Sequence, residues 1–253
     1  MSEHKTTALV TGASAGLGAE FCRQLAQRCD VIIGVARRED RLMALAQELS
    51  DSVEMQVVEA DLGSIEGVAR TMEAIRQKGP IDYLVNNAGF STLGNFVDQS
   101  IDSQRDMLNL HADTSITLCR AAIPFMRELG AGYIINVSSL GAFLPGKGLS
   151  VYGASKAFLT YFSQALQAEL ADSGVKVQAL CPGYTHTEFH DDIVAQGFDK
   201  SRFPPQMWMD AAEVVAASLS ALDSQDSQVL VVPGKVNREL ARMGLQQQLD
   251  ALQ

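Results

Sequence analysis

The chain of 253 residues has no long apolar run near its start. Its opening, Met1-Ser-Glu-His-Lys-Thr-Thr7, is polar, and the apolar stretch after it, Ala8-Leu-Val10, gives way to glycines. That stretch is too short for the core of a secretory signal and far too short for a membrane span, so the expected location is cytoplasmic. Positive charge is also scarce: 20 Lys and Arg stand against 30 Asp and Glu, a net charge of −10. Phosphate contacts need a basic face, so general nucleic-acid binding is not expected, and an anionic membrane surface is disfavoured. The four cysteines, Cys22, Cys29, Cys119 and Cys181, form no Cys-x-x-Cys pair. They read as small apolar residues in a reducing compartment. Internal repeats, linkers and low-complexity blocks are absent. With 47% hydrophobic residues the core is ample, and one domain over 1–253 is the economical reading.

What is present begins with Thr11-Gly-Ala-Ser-Ala-Gly-Leu-Gly18, between a short apolar strand and a helix that repeats Phe21, Leu25 and Ala26. Gly12 permits a tight turn and Gly16 lets the backbone approach a ligand. Gly18 lets the helix pack close to the sheet. The free N–H groups of the new helix would then face a pyrophosphate. A glycine turn without any ligand is the alternative.

Further strands are expected at Val31–Ala36, Val53–Val58, Ile81–Val85, Tyr133–Val137, Val175–Leu180 and Val229–Val232, with helices between them. In the helix near 40–49, Leu42, Leu45, Ala46 and Leu49 share a face. In the one from 64 to 78, Ile65, Val68, Met72 and Ile75 point inward. A single long helix is expected over 101–126, and a terminal amphipathic one over about 237–252, with Leu240, Met243, Leu245, Leu249 and Leu252. This alternation implies an α/β fold: a doubly wound, Rossmann-type, mostly parallel seven-stranded sheet with helices on both faces. Thr11, Ala36, Asp61 and Asn86 all end strands on one edge, where such sheets bind ligands. After Ala36 come Arg37 and Arg38, with no acid until Glu39. An acid there would hold a ribose 2′-OH, whereas arginine suits a 2′-phosphate; a solvated basic pair is the alternative.

Tyr152 and Lys156 stand four residues apart on a predicted helix, one turn apart on one face. A tyrosine near an ammonium can exchange a proton with an alcohol or carbonyl oxygen, and Ser139 could hydrogen-bond that oxygen. An ordinary tyrosine and a surface lysine would share this spacing.

Taken together, Thr11-Gly-x-x-x-Gly-x-Gly18, Asp61-Leu62, Asn86-Asn-Ala-Gly89, Asn109, Ser139, Tyr152-x-x-x-Lys156 and Pro182-Gly183 resemble the short-chain dehydrogenase/reductase family, in its single-domain oxidoreductase branch. The resemblance implies Tyr152 as general acid/base, Ser139 orienting the substrate oxygen, and Ser138 in a structural role. It implies that Lys156 binds the nicotinamide ribose and lowers the tyrosine pKa, and that Asn109 holds a helix kink and a relay water. Asp61 would contact adenine, Asn87 would lie beside the cofactor, and Thr187 would contact the nicotinamide carboxamide. Further cofactor contacts are implied at Gly12, Ser14, Ala15, Gly16, Leu17, Gly18, Arg37, Arg38, Leu62, Ala88, Gly89, Pro182, Gly183 and Thr185. Ala15 stands where many NADP-dependent relatives carry a basic residue, so the phosphate contact rests on Arg37 and Arg38.

The expected activity is therefore an NADP(H)-dependent carbonyl reductase or alcohol dehydrogenase acting on a small carbonyl or alcohol. A catalytically idle NADP-binding redox sensor or scaffold is the rival reading. The resemblance makes 184–210 a substrate lid, whose Phe189, Phe198, Phe203, Met207 and Trp208 suggest an apolar pocket wall. His186 and His190 lie four apart but lack the His-Glu-x-x-His order, so no metal site is expected. The apolar residues Phe158, Leu159, Phe162, Leu166 and Leu170, together with the resemblance, point to a homodimer or homotetramer.

Overall fold

The computed structural model of the chain describes residues 4–195, 197–224 and 228–252. The polar opening Met1–Glu3 and the last residue of the expected domain lie outside the described residues, as do 196 and 225–227. Strands β1 (Thr7–Thr11) and β2 (Val31–Ala36) are buried at every position, as strands covered on both faces must be. Between them, α1 (Gly16–Leu25) seats Phe21, Cys22 and Leu25 in the core. Next come α2 (Glu39–Glu48), β3 (Glu54–Glu59), α3 (Ile65–Lys78) and β4 (Tyr83–Asn86). The Ser64 hydroxyl opens α3 by accepting the Gly67 N–H. The second half runs α4 (Ile101–Leu108), α5 (Thr114–Leu129), β5 (Gly132–Val137), α6 (Ser150–Glu169) and β6 (Val175–Leu180). It closes with β7 (Tyr184–His186), α7 (Asp191–Ala195), β8 (Trp208–Asp210), α8 (Ala211–Asp223), β9 (Leu230–Val231) and α9 (Lys235–Asp250).

Among the described residues seven strands form one sheet in the order β3-β2-β1-β4-β5-β6-β9, every pair parallel. One face carries the core of Phe21, Leu25, Leu42, Val215 and Leu219, and the other that of Ile33, Ile75, Leu84, Leu118 and Leu166. The strand order reverses between β1 and β4, which leaves a crevice at their carboxyl ends. Among the described residues no helix is long and apolar enough to cross a membrane. All four cysteines are buried and free.

Three local expectations are corrected. Ile65 does not point inward: it is 85% exposed, because it opens α3 before the helix has come down onto the sheet. The single helix over 101–126 is two helices joined by a π-helical turn, Asn109–Asp113, and continues to Leu129. In α9 the large apolar residues Met243, Leu245 and Leu249 are exposed, as is Leu252 just beyond it, while Asn237, Ala241 and Gly244 are buried. The reason is close packing, since a Cβ on Gly244 would lie 2.2 Å from the Phe143 carbonyl oxygen. Only small residues fit that seam, so the bulky ones turn outward. Within 184–210, β7 and β8 pair in parallel.

Candidate active site

The glycine turn is built as its spacing suggests. Gly12 and Gly16 hold positive φ angles of 66° and 53°, a conformation that disfavours side chains. A Cβ on Gly18 would lie 2.2 Å from the Gly12 carbonyl oxygen, so the turn folds tightly onto the start of α1. Ala15 caps α1 in extended conformation and offers no side-chain acceptor. The first-turn N–H groups therefore suit an external anion. Leu17 packs against the core. The Thr11 hydroxyl donates to the Val85 carbonyl and accepts the N–H groups of Asn87 and Ala88 at 2.8 and 3.0 Å. The Asn87 side-chain amide donates to the Thr11 carbonyl at 2.9 Å. Asn87 thus ties β4 to the glycine turn. Gly89 lies against His111, where a Cβ would come 2.5 Å from Nε2.

At the end of β2, Ala36 is buried and Arg38 turns back to the glycine turn, donating to Ser14 Oγ from Nε at 3.2 Å and Nη2 at 3.1 Å. Its Nη1 donates to Glu188 at 3.0 Å, and Arg41 Nη1 donates to the other oxygen of Glu188 at 2.5 Å. The two guanidinium groups hold the Glu188 carboxyl below its usual range, Arg41 more than Arg38. Arg37, the other expected cation, is exposed and stands outside this cluster. Sequence reasoning missed Arg41 and Glu188. The three-residue spacing from Arg38 to Arg41 on a helix was the available signal for the first. Nothing local marked the second, which arrives from 150 residues away. Asp61 Oδ1 accepts the Gly63 N–H. The Leu62 side chain is in the core, so only its backbone is free to face the crevice.

On α6, the Lys156 ammonium lies 5.9 Å from the centroid of the Tyr152 ring and donates to the Val137 carbonyl at 2.9 Å. Ser139 Oγ accepts the Gly141 N–H at 3.0 Å and lies close enough to Tyr152 to favour its phenolate. The tertiary structure thus brings Ser139, Tyr152 and Lys156 together. Ser138 is turned away, donating to the Lys156 carbonyl at 2.7 Å and bonded to Thr160. The expectation that Lys156 lowers the tyrosine pKa is not met in this arrangement. Burial pushes the phenol up to about 12, with Ser139 acting against it, and pushes the lysine down to about 7. Desolvation disfavours both charged forms and is the largest cause at each.

Asn109 departs from its expected place. It opens the π-helical turn, as a kink residue should, but its side chain is exposed and does not join the cluster. His111 stands there instead. It is fully buried, 6.0 Å from the Tyr152 ring, with Nδ1 bonded to Ser155 Oγ at 2.8 Å and Nε2 accepting the Phe90 N–H at 3.2 Å. Ser155 in turn donates to the Tyr152 carbonyl. Burial, then the nearby Lys156, holds His111 well below its usual pKa, which fits a neutral ring that accepts at one nitrogen. The π-turn widens the helix by a residue and re-aims the side chains after it, so His111, two positions beyond the residue the resemblance implied, faces Tyr152.

Beyond β6, Pro182 is buried and accepts the Leu140 N–H. Gly183 packs on Asn237 of α9, and Thr185 donates to the Gly183 carbonyl. Thr187 lies over Gly16, where a Cβ would come 3.2 Å from its own Cβ. Phe189 reaches the Tyr152 ring at 6.1 Å. The other aromatic residues expected to wall a pocket mainly stack on one another: Tyr184 touches Phe198, Phe203 and Trp208. His186 and His190 are ring partners of Trp208 in the same stack.

The sequence model of the family described as short chain dehydrogenase matches residues 6–197, and the chain belongs to that family. It is an oxidoreductase of this type, with the family's fold for a nicotinamide cofactor. A short-chain dehydrogenase from Sphingobium yanoikuyae, solved in complex with NADPH, is 34% identical, with a TM-score of 0.84 over 98% of this chain and 96% of that one. The bulky-bulky ketone specific alcohol dehydrogenase from Comamonas testosteroni is 30% identical, with a TM-score of 0.80 over 98% and 94%. The very-long-chain 3-oxoacyl-CoA reductase of Anas platyrhynchos is 34% identical over 211 residues, 81% of this chain and 67% of its own length.

Proposed function

We propose that the protein is an NADP(H)-dependent oxidoreductase that moves a hydride between the nicotinamide and a ketone or secondary alcohol, with Tyr152 as general acid/base. The observation that carries this reading is the cluster of Ser139, Tyr152 and Lys156 at the crevice beside the glycine turn. The cradle fits a dinucleotide: side chains would collide at Gly12 and Gly18, and the start of α1 lacks a side-chain cap. Arg38 just past β2, held by Ser14 of the glycine turn, with Ala36 rather than an acid at the strand end, favours a 2′-phosphate. The NADPH held by the Sphingobium relative supports the same choice.

The bound cofactor supplies or accepts the hydride. Ser139 holds the substrate oxygen beside the phenol. In reduction Tyr152 donates its proton to that oxygen; in oxidation it takes the proton back. Lys156, anchored on Val137, keeps a cationic or hydrogen-bonding group behind the tyrosine and toward the ribose. His111, through Ser155, fixes the turn of α6 that carries Tyr152. The segment 184–210 serves as the lid, and Phe189 forms its apolar contact above Tyr152. The two ketone-acting relatives support a ketone with apolar substituents. The test is a screen of ketones, 3-oxoacyl thioesters, sugars and steroids by NADPH absorbance. NADPH binding without turnover of any carbonyl or alcohol would favour an idle binder instead.

A raised phenol pKa keeps Tyr152 protonated through neutral pH, so its proton-donating form is populated and its base form is scarce. The base form grows as pH rises, so kcat/KM for alcohol oxidation is expected to climb with pH toward about 12. Carbonyl reduction should not climb with it. An oxidation profile that falls over this range would contradict the assignment.

We also infer a homodimer or homotetramer. On α6, Phe158 stacks on Phe162 while Phe158 and Tyr161 remain 39% and 76% exposed, an apolar face suited to a second copy. Light scattering at micromolar concentration should give a multiple of 27.2 kDa; a monomeric mass would refute it.

A further inference from the structure

Residues 187–189 cross the whole crevice in three steps. Thr187 lies on Gly16 of the glycine turn, Glu188 reaches Arg38 and Arg41, and Phe189 reaches Tyr152. The middle contact has the geometry of an anion site. Two guanidinium groups converge on one carboxylate, each taking a separate oxygen, and Ser14 holds Arg38 in place from behind. A phosphate has the same requirement for forked donors on separate oxygens. Only one anion can take both guanidinium groups at once. Thr187 lies against Gly16, so the glycine turn and the arginine pair are bridged by one short segment.

We propose that Glu188 is a built-in competitor for the cofactor's 2′-phosphate, and that Arg41 is a cation the phosphate gains when Glu188 leaves. The inference rests on the NADP(H) reading above. Binding of a 2′-phosphate then exchanges one anion for another on Arg38 and Arg41 and releases the segment that covers Tyr152. A nucleotide without the 2′-phosphate offers the arginines nothing in return, so Glu188 retains its place. Glu188 would therefore lower affinity for 2′-phosphorylated nucleotides, while coupling their arrival to opening of the segment above the reactive tyrosine.

The test is titration calorimetry of the purified full chain with two probes, adenosine 2′,5′-bisphosphate and AMP. For Glu188→Gln the bisphosphate is expected to bind about fivefold tighter, the worth of two exposed ion pairs no longer competing. AMP binding should stay unchanged, which also reports an intact fold; Glu188→Ala should behave alike. In the Glu188→Gln background, adding Arg41→Gln should weaken the bisphosphate about threefold and leave AMP alone. Bisphosphate binding that is unchanged or weaker in Glu188→Gln overturns the competition, the weaker result meaning that Glu188 orients the arginines for the phosphate. A loss on AMP equal to that on the bisphosphate for Arg41→Gln overturns the role of Arg41. The wild-type chain separates the two levels. If it binds both probes alike, the NADP(H) reading fails; if it prefers the bisphosphate while Glu188→Gln matches wild type, only the competition fails.

Discussion

Tyr152→Phe is expected to lower kcat at least a hundredfold while dinucleotide affinity stays within about twofold. The substitution removes one hydroxyl and keeps the ring, so the contacts of Tyr152 with His111 and Phe189 survive. What disappears is the phenolic proton beside Ser139. General acid/base catalysis contributes roughly 10²–10⁴-fold. The glycine turn, Arg38 and Ser14 lie outside the altered site, so binding of the dinucleotide has no reason to weaken. Comparing kcat with a fluorescence titration of NADPH separates the two effects. Wild-type turnover by the purified variant would remove Tyr152 from its role, and a parallel loss of binding would make it structural.

The second large effect concerns the choice of cofactor. Arg38→Ala is expected to cut the ratio of kcat/KM with NADPH to that with NADH by tenfold or more, whereas Arg37→Ala changes it little. Charge-assisted hydrogen bonds contribute about 1.5–3 kcal/mol, and about 1.4 kcal/mol is tenfold. The Arg38 side chain is 43% exposed, which argues for the lower end. Removing Arg38 also leaves Glu188 with one fewer cation, so its charge acts against a 2′-phosphate in the same direction. Adding Ala36→Asp should extend the swing, because an acid there accepts the ribose hydroxyl of NADH. Equal losses with both cofactors would place Arg38 outside the discriminating contact. A larger effect at Arg37 would mean that the exposed arginine reaches the phosphate after all.

Much of this protein was determined locally by its sequence. The β-branched runs between glycine turns and amphipathic helices specify parallel strands, because strand and helix periods and turn chemistry are properties of neighbouring residues. Gly12, Gly16 and Gly18 are legible for the same reason: their conformations and close approaches arise within one turn. Tyr152 and Lys156 share a helix face by spacing alone, and Ser139 ends its strand within reach. Other features depend on what meets across the fold. Asn109 and His111 are two residues apart, and only the π-helical turn decides which of them faces Tyr152. The leucines of α9 have helical spacing, yet the close seam at Gly244 turns several of them to solvent. Spacing brings Tyr152 near Lys156, but burial sets their protonation, and desolvation is invisible in a linear pattern. The Glu188 carboxylate meets Arg38 and Arg41 only because the chain beyond β6 folds back over the glycine turn. A contact across about 150 positions depends on tertiary packing, since no local preference spans that distance.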